Sequence, residues 1–513
     1  MTQLEKFTDT LSKGYTFKGD YIELGKGMLA GVPIPDAPVR VPLKTLNRHG
    51  LIAGATGTGK TKTLQIISEL LSEKGIPVLM MDIKGDLSGI ATAAAENPKI
   101  RERHEKLQIP YEPAAYPVEL LSLSAEPGAR LRSTVSEFGP VLFSRMLNLS
   151  EVQAGIISVI FKYADDNSLP LLDLKDLRKL LQYATEEGKE ELEREYGRIS
   201  TTSTGAIMRN IVALEQQGAD VFFGEPSFDV SDLLRLNEKG QGYINIVRLT
   251  DIQDKPHLFS TFMLGLLAEI YSTFPEQGDT GRPELVIFLD EAHLIFDQAS
   301  AELLNQIENI VKLIRSKGVG LYFVTQNPTD VPDAVLSQLG LKIQHALRAF
   351  TAKDRKAIKL TAENYPISEF YKTDEVLTSL GIGEALVSAL NEKGIPTPLA
   401  ATMLRAPKSR MDILSPTEIT GLVAVSKLSK KYNKTIDRES AYEILNDKIA
   451  RAEQFAREAQ RQKETELKRK PTETFSRRRS STRSSATNPI LKVLTSATFI
   501  RGVMGILTRA MRK

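Results

Sequence analysis

The eight residues from Gly54 to Thr61 constrain the fold more than any other part of the sequence. They read GATGTGKT and match the phosphate-binding pattern G-x-x-x-x-G-K-[ST]. The apolar run GLIAG (50–54) leads into this loop, and the amphipathic stretch KTLQIISELLSEKG (62–75) follows it. The strand–loop–helix order predicts a P-loop nucleotide site formed by Gly54, Ala55, Thr56, Gly57, Thr58, Gly59, Lys60 and Thr61.

The residue types in this loop suit a nucleoside triphosphate. Glycines let backbone N–H groups approach the β-phosphate without clashes from a Cβ atom. The helix that follows presents its positive end to the same anion. The pattern predicts that Lys60 contacts the β- and γ-phosphates and that the Thr61 hydroxyl binds Mg²⁺. ATP and Mg²⁺ are therefore the expected ligands.

Two carboxylates end a second apolar run, ELVIFLD (284–290), and are Asp290 and Glu291. Asp290 is predicted to hold Mg²⁺ through its water shell, and Glu291 to polarise the attacking water. Acids at the ends of strands are common, so this pair gains weight from its combination with the P-loop. A carboxylate directly after the metal-binding aspartate favours hydrolysis over phosphoryl transfer to a small acceptor.

A third polar position follows the apolar run GLYFVTQ (320–326). Gln326 ends this run, where an amide can contact the γ-phosphate or the attacking water. The alternative is a loop residue without such a role. Since the run comes after the acidic strand, we favour the sensor role and include Gln326 with Lys60 and Glu291 in the predicted catalytic set.

The rest of the chain predicts an α/β fold with a mainly parallel sheet. Short apolar runs alternate with longer helix-like stretches, and several runs are apolar throughout, as strands covered by helices on both faces require. The predicted strands are GLIAG (50–54), PVLMMD (77–82), YPVELLSL (116–123), YINIVRL (243–249), ELVIFLD (284–290), GLYFVTQ (320–326), LKIQHAL (341–347) and EALVSAL (384–390).

Changes in composition divide the chain into segments. Strand patterns are absent between about 126 and 235, where four amphipathic helices are predicted, and charged residues dominate after Pro407. The predicted segments are a short N-terminal segment (1–45), a first portion of the ATPase core (46–125), a helical insertion (126–235), a second portion of the ATPase core (236–407), a charged helical tail (408–470) whose stretch 426–470 suits one long exposed helix, a disordered basic linker (471–489) and an amphipathic helix (490–513).

Charge and residue usage exclude some classes of site. The net charge of +3 conceals an acidic body and a basic tail, and a basic tail suits contacts with nucleic acid, anionic lipid or an acidic protein face. The sequence has no cysteine, which excludes disulfides and thiolate metal sites, and its five histidines lack metal-site spacing. We find no secretory signal pattern and no apolar run of about 18 residues, so a cytoplasmic location is expected.

The order of these motifs resembles the HerA/FtsK branch of additional-strand P-loop ATPases. The resemblance rests on NRHGLIAGATGTGKT, MDIKGDLSG, VIFLDEAHLIF, KLIRSKGVGLYFVTQNPTDVP and QLGLKIQHALRAFTAKDRKAI, and extends from about residue 15 to 407. Within the branch, the chain is most similar to the YjgR-type bacterial HerA-like ATPases, whose role is uncharacterised. HerA proper carries an N-terminal β-barrel, for which residues 1–45 are too short.

The resemblance implies a RecA-like core and a ring, usually a hexamer, with ATP bound between subunits. It also implies DNA as the substrate that is moved. The branch uses an arginine from a neighbouring subunit to stabilise charge on the γ-phosphoryl group. Candidates are Arg315 in LIRSKGVG and Arg348 in QHALRAF, with Arg209 less favoured; each also suits a surface or salt-bridging role.

Several alternatives remain open at this stage. Asp82, Lys84 and Asp86 in MDIKGDLSG either support the nucleotide or form a solvated turn. The principal functional hypothesis is a ring-forming, ATP-hydrolysing DNA motor. A second is a nucleotide-gated scaffold for a protein partner, or for a membrane surface in peripheral contact, bound through residues 471–513. A small-molecule kinase is a third hypothesis, although Glu291 and Gln326 suit activation of water.

Overall fold

The computed structural model describes residues 1–252, 255–278, 280–296 and 301–469. The chain forms two compact units. Unit 1 comprises Met1–Leu131 and Ser227–Lys434, and unit 2 comprises Arg132–Pro226 and the chain from Thr435 onward. The P-loop and the other predicted site residues, apart from Arg209, belong to unit 1.

Unit 1 is built on one sheet, which has twelve strands in the described part of the chain. The strands are β1 (Tyr21–Leu29), β2 (Val32–Pro42), β3 (Gly50–Ala53), β4 (Val78–Asp82), β5 (Val118–Ser122), β6 (Ala129–Arg130), β7 (Ile244–Arg248), β8 (Leu285–Leu289), β9 (Val319–Thr325), β10 (Leu341–Gln344), β11 (Glu384–Ser388) and β12 (Ala400–Leu404).

The sheet has a parallel half and an antiparallel half. The strand order is β2-β1-β12-β11-β10-β3-β9-β8-β4-β7-β5-β6. All pairs from β10 to β6 are parallel, whereas β11, β12, β1 and β2 pair antiparallel with their neighbours. This confirms the predicted α/β fold with a mainly parallel sheet. All eight predicted strands form, and those that were apolar throughout, such as β8, are buried along their whole length.

Four strands were not predicted from the sequence. β1 and β2 form an antiparallel hairpin within the predicted N-terminal segment, and β12 lies between β1 and β11. β2 contains four prolines and the pairing of β1 with β2 is interrupted by register shifts, which fits the edge position because an edge strand loses little when a residue lacks an N–H donor. The remaining strand, β6, has only two residues.

Helices cover the sheet in unit 1 and make up unit 2. In chain order they are α1 (Gln3–Gly14), α2 (Lys60–Glu73), α3 (Pro98–Leu107), α4 (Val135–Met146), α5 (Glu151–Asp166), α6 (Leu174–Thr185), α7 (Lys189–Tyr196), α8 (Thr201–Gln216), α9 (Pro256–Thr273), α10 (His293–Phe296), α11 (Ala301–Ile314), α12 (Asp333–Leu336), α13 (Ala352–Glu363), α14 (Thr373–Ser379), α15 (Pro416–Val425), α16 (Lys427–Tyr432) and α17 (Ala441–Arg469). Helices α4–α8 and α17 belong to unit 2.

The four predicted helices of the insertion correspond to α4, α5, α6 and α8. Capping boxes mark the starts of α4, α5 and α6, where a side chain at the N-cap and one three residues later satisfy each other's free backbone N–H groups. The buried carboxylate of Asp176 accepts backbone N–H groups from Leu172, Asp173 and Tyr442. Asp176 therefore fixes the start of α17 beside the start of α6, within unit 2.

The prediction of one long exposed helix over 426–470 is wrong. The described part of this stretch forms α16 and α17, separated by non-helical residues. Two segments are anchored in unit 1: the backbone N–H groups of Lys408 and Ser409 donate to the buried Glu69 carboxylate, and Tyr432 is buried. A uniform exposed helix is excluded because the apolar residues Leu428 and Tyr432 interrupt the charged pattern and are buried.

The predictions for the linker 471–489 and the segment 490–513 lie outside the described residues. Across the ranges that are described, no helix combines the length and apolarity needed to cross a membrane. In the same ranges, no group of three or more His, Cys, Asp or Glu side chains is arranged to hold a metal ion.

Candidate nucleotide site

Four adjacent parallel strands bring the predicted site residues to one edge of the sheet. The strands lie in the order β3-β9-β8-β4. Because parallel strands end at the same edge, the P-loop after β3, Gln326 after β9, Asp290 and Glu291 after β8, and Lys84 after β4 are brought together. Residues more than 200 positions apart in sequence thus share one site.

The P-loop is held in a conformation that only glycine adopts readily. Gly54, Gly57 and Gly59 have φ angles of 152°, 78° and 114°. At Gly54 an added Cβ would lie 2.5 Å from the Cβ of His345, whereas nothing lies within 4 Å of one at Gly57. The Thr58 hydroxyl donates to the Ala55 carbonyl at 2.7 Å and tightens the turn.

His345 supports the loop from behind and was not predicted as a site residue. Its ring Nε2 lies 2.9 Å from the Thr63 hydroxyl of α2, and its backbone N–H donates to the Ala53 carbonyl at 2.7 Å. Burial lowers the pKa of His345 to about 4, so the ring is neutral at pH 7. The sequence signal for this role is the pair Gln344-His345 within the apolar run LKIQHAL, because it places two buried polar side chains at the end of β10.

Lys60 begins α2, where the first amides of a helix lack partners within the helix. Its ammonium donates to the carbonyls of Gly54 and Ala55, at 2.7 and 3.2 Å. Burial, followed by the nearby Lys84 ammonium, lowers the pKa of Lys60. The loop thus turns its own lysine inward at the position where the pattern predicts the β- and γ-phosphates. Thr61, the next residue, is half-buried.

The acidic pair lies at the carboxyl end of β8. Asp290 is buried, and its Oδ1 accepts the backbone N–H of Glu291 at 3.0 Å. Burial, with a contribution from the Glu291 carboxylate, raises the pKa of Asp290 to about 6. Its Oδ2 is buried and has no hydrogen-bond partner among the described residues. An acceptor oxygen in this state fits a ligand such as a water of an Mg²⁺ shell, as predicted for Asp290.

Glu291 adopts a left-handed backbone, with φ of 49°. Such a conformation costs a non-glycine residue on the order of 1–3 kcal/mol and is concentrated at functional sites. The next residue ties the turn to β9, because the Ala292 N–H donates to the Val324 carbonyl at 2.9 Å. The Glu291 carboxylate pairs with Lys84, and the Nδ1 of His293 lies 3.2 Å from its Oε2.

The turn after β4 is not a simple solvated turn. Asp82 is buried and accepts the backbone N–H groups of Gly85, Asp86 and Leu87 at 2.7, 3.1 and 3.3 Å. Burial, followed by the Asp86 carboxylate, raises the pKa of Asp82 to about 7. The turn fixes the backbone from which Lys84 reaches Glu291, and support of the nucleotide by this segment stays a prediction.

The remaining predicted residues lie at different places in the fold. Gln326 is exposed directly after β9 at the carboxyl edge, in a turn held by Asp330, which accepts the Asn327 N–H at 3.0 Å. Arg348 is exposed four residues after β10 on the same edge, and its Nη1 donates to the Thr378 carbonyl at 3.4 Å. Arg315 precedes β9 and therefore lies at the opposite, amino edge of the parallel strands. Arg209 lies on α8 in unit 2.

A small cavity lies beside the start of α2. Its volume is about 170 Å³, and α2 lines it with Gly59, Lys62, Thr63 and Ile66. Across the cavity, the guanidinium of Arg103 donates to the carbonyls of Ile382, Gly383 and Leu404 at 2.9, 3.1 and 2.9 Å, and these residues also line it. The P-loop therefore lies next to a largely apolar cavity in unit 1.

Comparisons with known proteins identify the family of this chain. The model of the helicase HerA-like C-terminal family matches residues 28–513. The chain is 25% identical over 367 residues to the DNA double-strand break repair helicase HerA of Sulfolobus acidocaldarius, which covers 68% of this chain and 64% of that protein. The HerA of Saccharolobus solfataricus is 23% identical over 381 residues, covering 72% of this chain and 67% of that protein. The chain thus spans about two thirds of the length of these relatives.

Solved structures show the same fold. The plasmid coupling protein TrwB, in complex with the ATP analogue ADPNP, superposes with a TM-score of 0.50 at 15% identity, over 79% of this chain and 95% of that chain. At this identity the likeness concerns the fold, and it confirms the predicted RecA-like P-loop core. The YjgR-type grouping stays a prediction. From the family match over most of its length, this chain belongs to the helicase HerA-like C-terminal family of P-loop ATPases.

Proposed function

We propose that the protein is an Mg²⁺-dependent ATP hydrolase that converts hydrolysis into movement of DNA. The observation that carries the proposal is the convergence of Lys60, Asp290, Glu291 and Gln326 at the carboxyl ends of three adjacent parallel strands. This set combines a phosphate-binding lysine, a buried acceptor suited to a metal shell, a carboxylate for the attacking water and an amide beside it.

Each residue has a separate task in this proposal. Lys60 exchanges its two carbonyl partners for the β- and γ-phosphates, and Glu291 orients and polarises the attacking water. Gln326 contacts the γ-phosphate or that water. Thr61 and Asp290 are the residues that would hold Mg²⁺, which neutralises charge on the phosphates when bound. The cavity lined by Lys62, Thr63 and Ile66 receives the nucleotide base.

We further propose a ring of subunits, expected to be a hexamer, in which a neighbour completes each site. Phe350 and Ile382 are 86% and 71% exposed beside the carboxyl edge, and apolar side chains of this size favour burial against another protein surface. Arg348, two residues before Phe350, shares the edge with the P-loop. We therefore propose Arg348 as the arginine that acts on the nucleotide site of a neighbouring subunit. Arg315 is the alternative candidate.

DNA as the substrate rests on the relatives, which are named as DNA double-strand break repair helicases. A cytoplasmic location stays an expectation. Binding of a protein or membrane partner through residues 471–513 also stays a prediction, because these residues lie outside the described ranges.

The first test measures steady-state ATP hydrolysis with and without duplex DNA for the wild type and Glu291→Gln. Loss of the carboxylate is expected to lower the hydrolysis rate by about 10²–10⁴-fold, since it removes general-base assistance without changing shape. Glu102→Gln, which removes an exposed carboxylate of α3, is the matched control. Equal rates for wild type and Glu291→Gln would contradict the hydrolase, and hydrolysis indifferent to DNA would contradict only the DNA part.

The second test asks whether Arg348 acts between subunits. Arg348→Ala is expected to lower hydrolysis by about 10³-fold while nucleotide binding is retained. Mixing it with Lys60→Ala subunits should restore part of the activity, because some neighbouring pairs then combine an intact P-loop with an intact Arg348. The same mixture made with Arg315→Ala is the matched comparison. Restoration only with Arg315→Ala would move the role to Arg315.

A further inference from the structure

Lys84 holds the carboxylate that the proposed reaction needs. Its Nζ pairs with Oε1 of Glu291, while the Nδ1 of His293 lies 3.2 Å from Oε2. The Glu291 side chain is only 7% exposed, and both of its carboxylate oxygens are buried at the closed end of the site. In this arrangement the Glu291 carboxylate is paired with the Lys84 ammonium, and it is not exposed to a water molecule.

The turn that carries Lys84 combines a fixed backbone with a movable side chain. The Asp82 carboxylate accepts three backbone N–H groups of the turn, and Gly85 takes the left-handed φ of 76° that closes it. The side chain of Lys84 is nevertheless 42% exposed, and a flexible four-carbon stem separates this backbone from the ammonium. The turn therefore aims the lysine at the site without locking its ammonium in one position.

The position of Lys84 relative to Lys60 suggests a second ligand for its ammonium. Lys60 begins α2 after β3, and Lys84 follows β4 at the same carboxyl edge of the parallel strands, where it pairs with Glu291 at the end of β8. Two cations thus converge on the place where the P-loop pattern predicts the β- and γ-phosphates. Lys60 is sited for both phosphates, whereas Lys84 approaches from the side of Glu291, where the attacking water and hence the γ-phosphate must lie.

We propose that Lys84 is a γ-phosphate sensor: without nucleotide it restrains Glu291, and with ATP it moves to the γ-phosphate and releases Glu291 to the attacking water. The proposal rests on the proposed ATP hydrolase and adds a residue that couples occupancy of the site to the state of its base. A lysine suits this exchange because its compact ammonium binds a carboxylate or a phosphate oxygen without a fixed geometry. ADP lacks the γ-phosphate and therefore leaves Lys84 on Glu291.

The test is equilibrium binding of fluorescent ADP and a fluorescent non-hydrolysable ATP analogue, both with Mg²⁺, to the full chain. Lys84→Ala is expected to weaken binding of the ATP analogue by about tenfold, the effect of losing one charge-assisted hydrogen bond, and to change ADP binding by less than about twofold. Lys84→Arg should keep most of the preference for the ATP analogue because it retains the charge. Lys13→Ala, which removes an exposed ion pair with Asp9, is the control.

The outcomes separate a sensor from a structural tether. Equal weakening of both nucleotides, or no change in either, would overturn the proposal, because a tether to Glu291 does not distinguish ATP from ADP. In addition, ADP should inhibit ATP hydrolysis by Lys84→Ala to the same extent as it inhibits hydrolysis by the wild type. Binding is read without turnover, so failure of the hydrolase proposal leaves this result interpretable. If neither nucleotide binds the wild type, the proposed function fails before the sensor is tested, and the sensor fails with it.

Discussion

The parallel and antiparallel halves of the unit 1 sheet differ in what they contribute. The parallel half, β10 to β6 in the strand order, ends at an edge that carries the P-loop, the acidic pair, Gln326 and the turn with Lys84. The antiparallel half, β2, β1, β12 and β11, extends the same core without adding a predicted catalytic residue. Parallel strands align their carboxyl ends into a site, whereas antiparallel neighbours direct successive ends to opposite edges.

The largest expected effect is on chemistry in the parallel half. Asp290→Asn removes the charge predicted to hold Mg²⁺, and hydrolysis at saturating ATP and Mg²⁺ should fall by at least about 100-fold. The free energy of unfolding should not fall, because burial already disfavours the charged form of Asp290. Steady-state turnover and denaturant unfolding measure the two quantities. A loss of both stability and activity would show that Asp290 has a structural role.

The matching substitution in the antiparallel half is Leu24→Ala. Leu24 is fully buried in β1 and belongs to the main hydrophobic cluster. Its truncation should lower the free energy of unfolding by about 3 kcal/mol through lost burial and the cavity left behind. Nucleotide affinity of the folded protein should stay unchanged. A selective loss of nucleotide affinity would show that this half also shapes the site.

Two glycines of the P-loop separate backbone strain from steric contact. Gly54→Ala should lower the free energy of unfolding by about 2 kcal/mol more than Gly57→Ala. Both have a φ that disfavours alanine, but only at Gly54 would the new Cβ lie 2.5 Å from the Cβ of His345. Denaturant unfolding of both variants gives the difference. Equal losses in the free energy of unfolding would mean that His345 moves aside without an energetic cost and does not support the loop.

The smallest expected effect is a pH dependence at the amino edge of the parallel half. His49 is buried directly before β3, where its Nδ1 accepts the Leu321 N–H at 3.0 Å and its Nε2 lies 2.7 Å from the Val311 carbonyl. Burial lowers its pKa from 6.5 to about 4, so the unfolded chain binds the proton more tightly. Stability contributed by His49 is present above pH 6.5 and is lost as pH falls toward 4.

Between pH 6.5 and about 5.5 the loss should be about 1 kcal/mol, read from denaturant unfolding at a series of pH values. His49→Gln offers a hydrogen-bond donor and an acceptor without titrating, so its stability should vary less with pH over this range. An unchanged slope in His49→Gln would assign the pH dependence to other groups.

The same comparison explains which strands could be predicted. The strand β8 has a continuous apolar run because helices cover both of its faces, and such runs are visible in the sequence. β2 contains four prolines and β12 reads AATML, so neither has a strong strand pattern of its own. They form because β1 pairs with both of them and because their apolar side chains join the core. The pairing of β1 with β12 joins segments far apart in sequence and leaves no local pattern.

The P-loop, the acidic pair Asp290-Glu291 and the parallel strands could be predicted from the sequence, because each depends on residue types that are adjacent along the chain. The partners become visible only in the fold: His345 lies behind Gly54, Lys84 pairs with Glu291, and Arg348 rather than Arg315 lies on the P-loop edge. These relations depend on the strand order β10-β3-β9-β8-β4, which is fixed by packing of the whole sheet. Local patterns therefore specify the chemical groups, and the strand order specifies which of those groups meet.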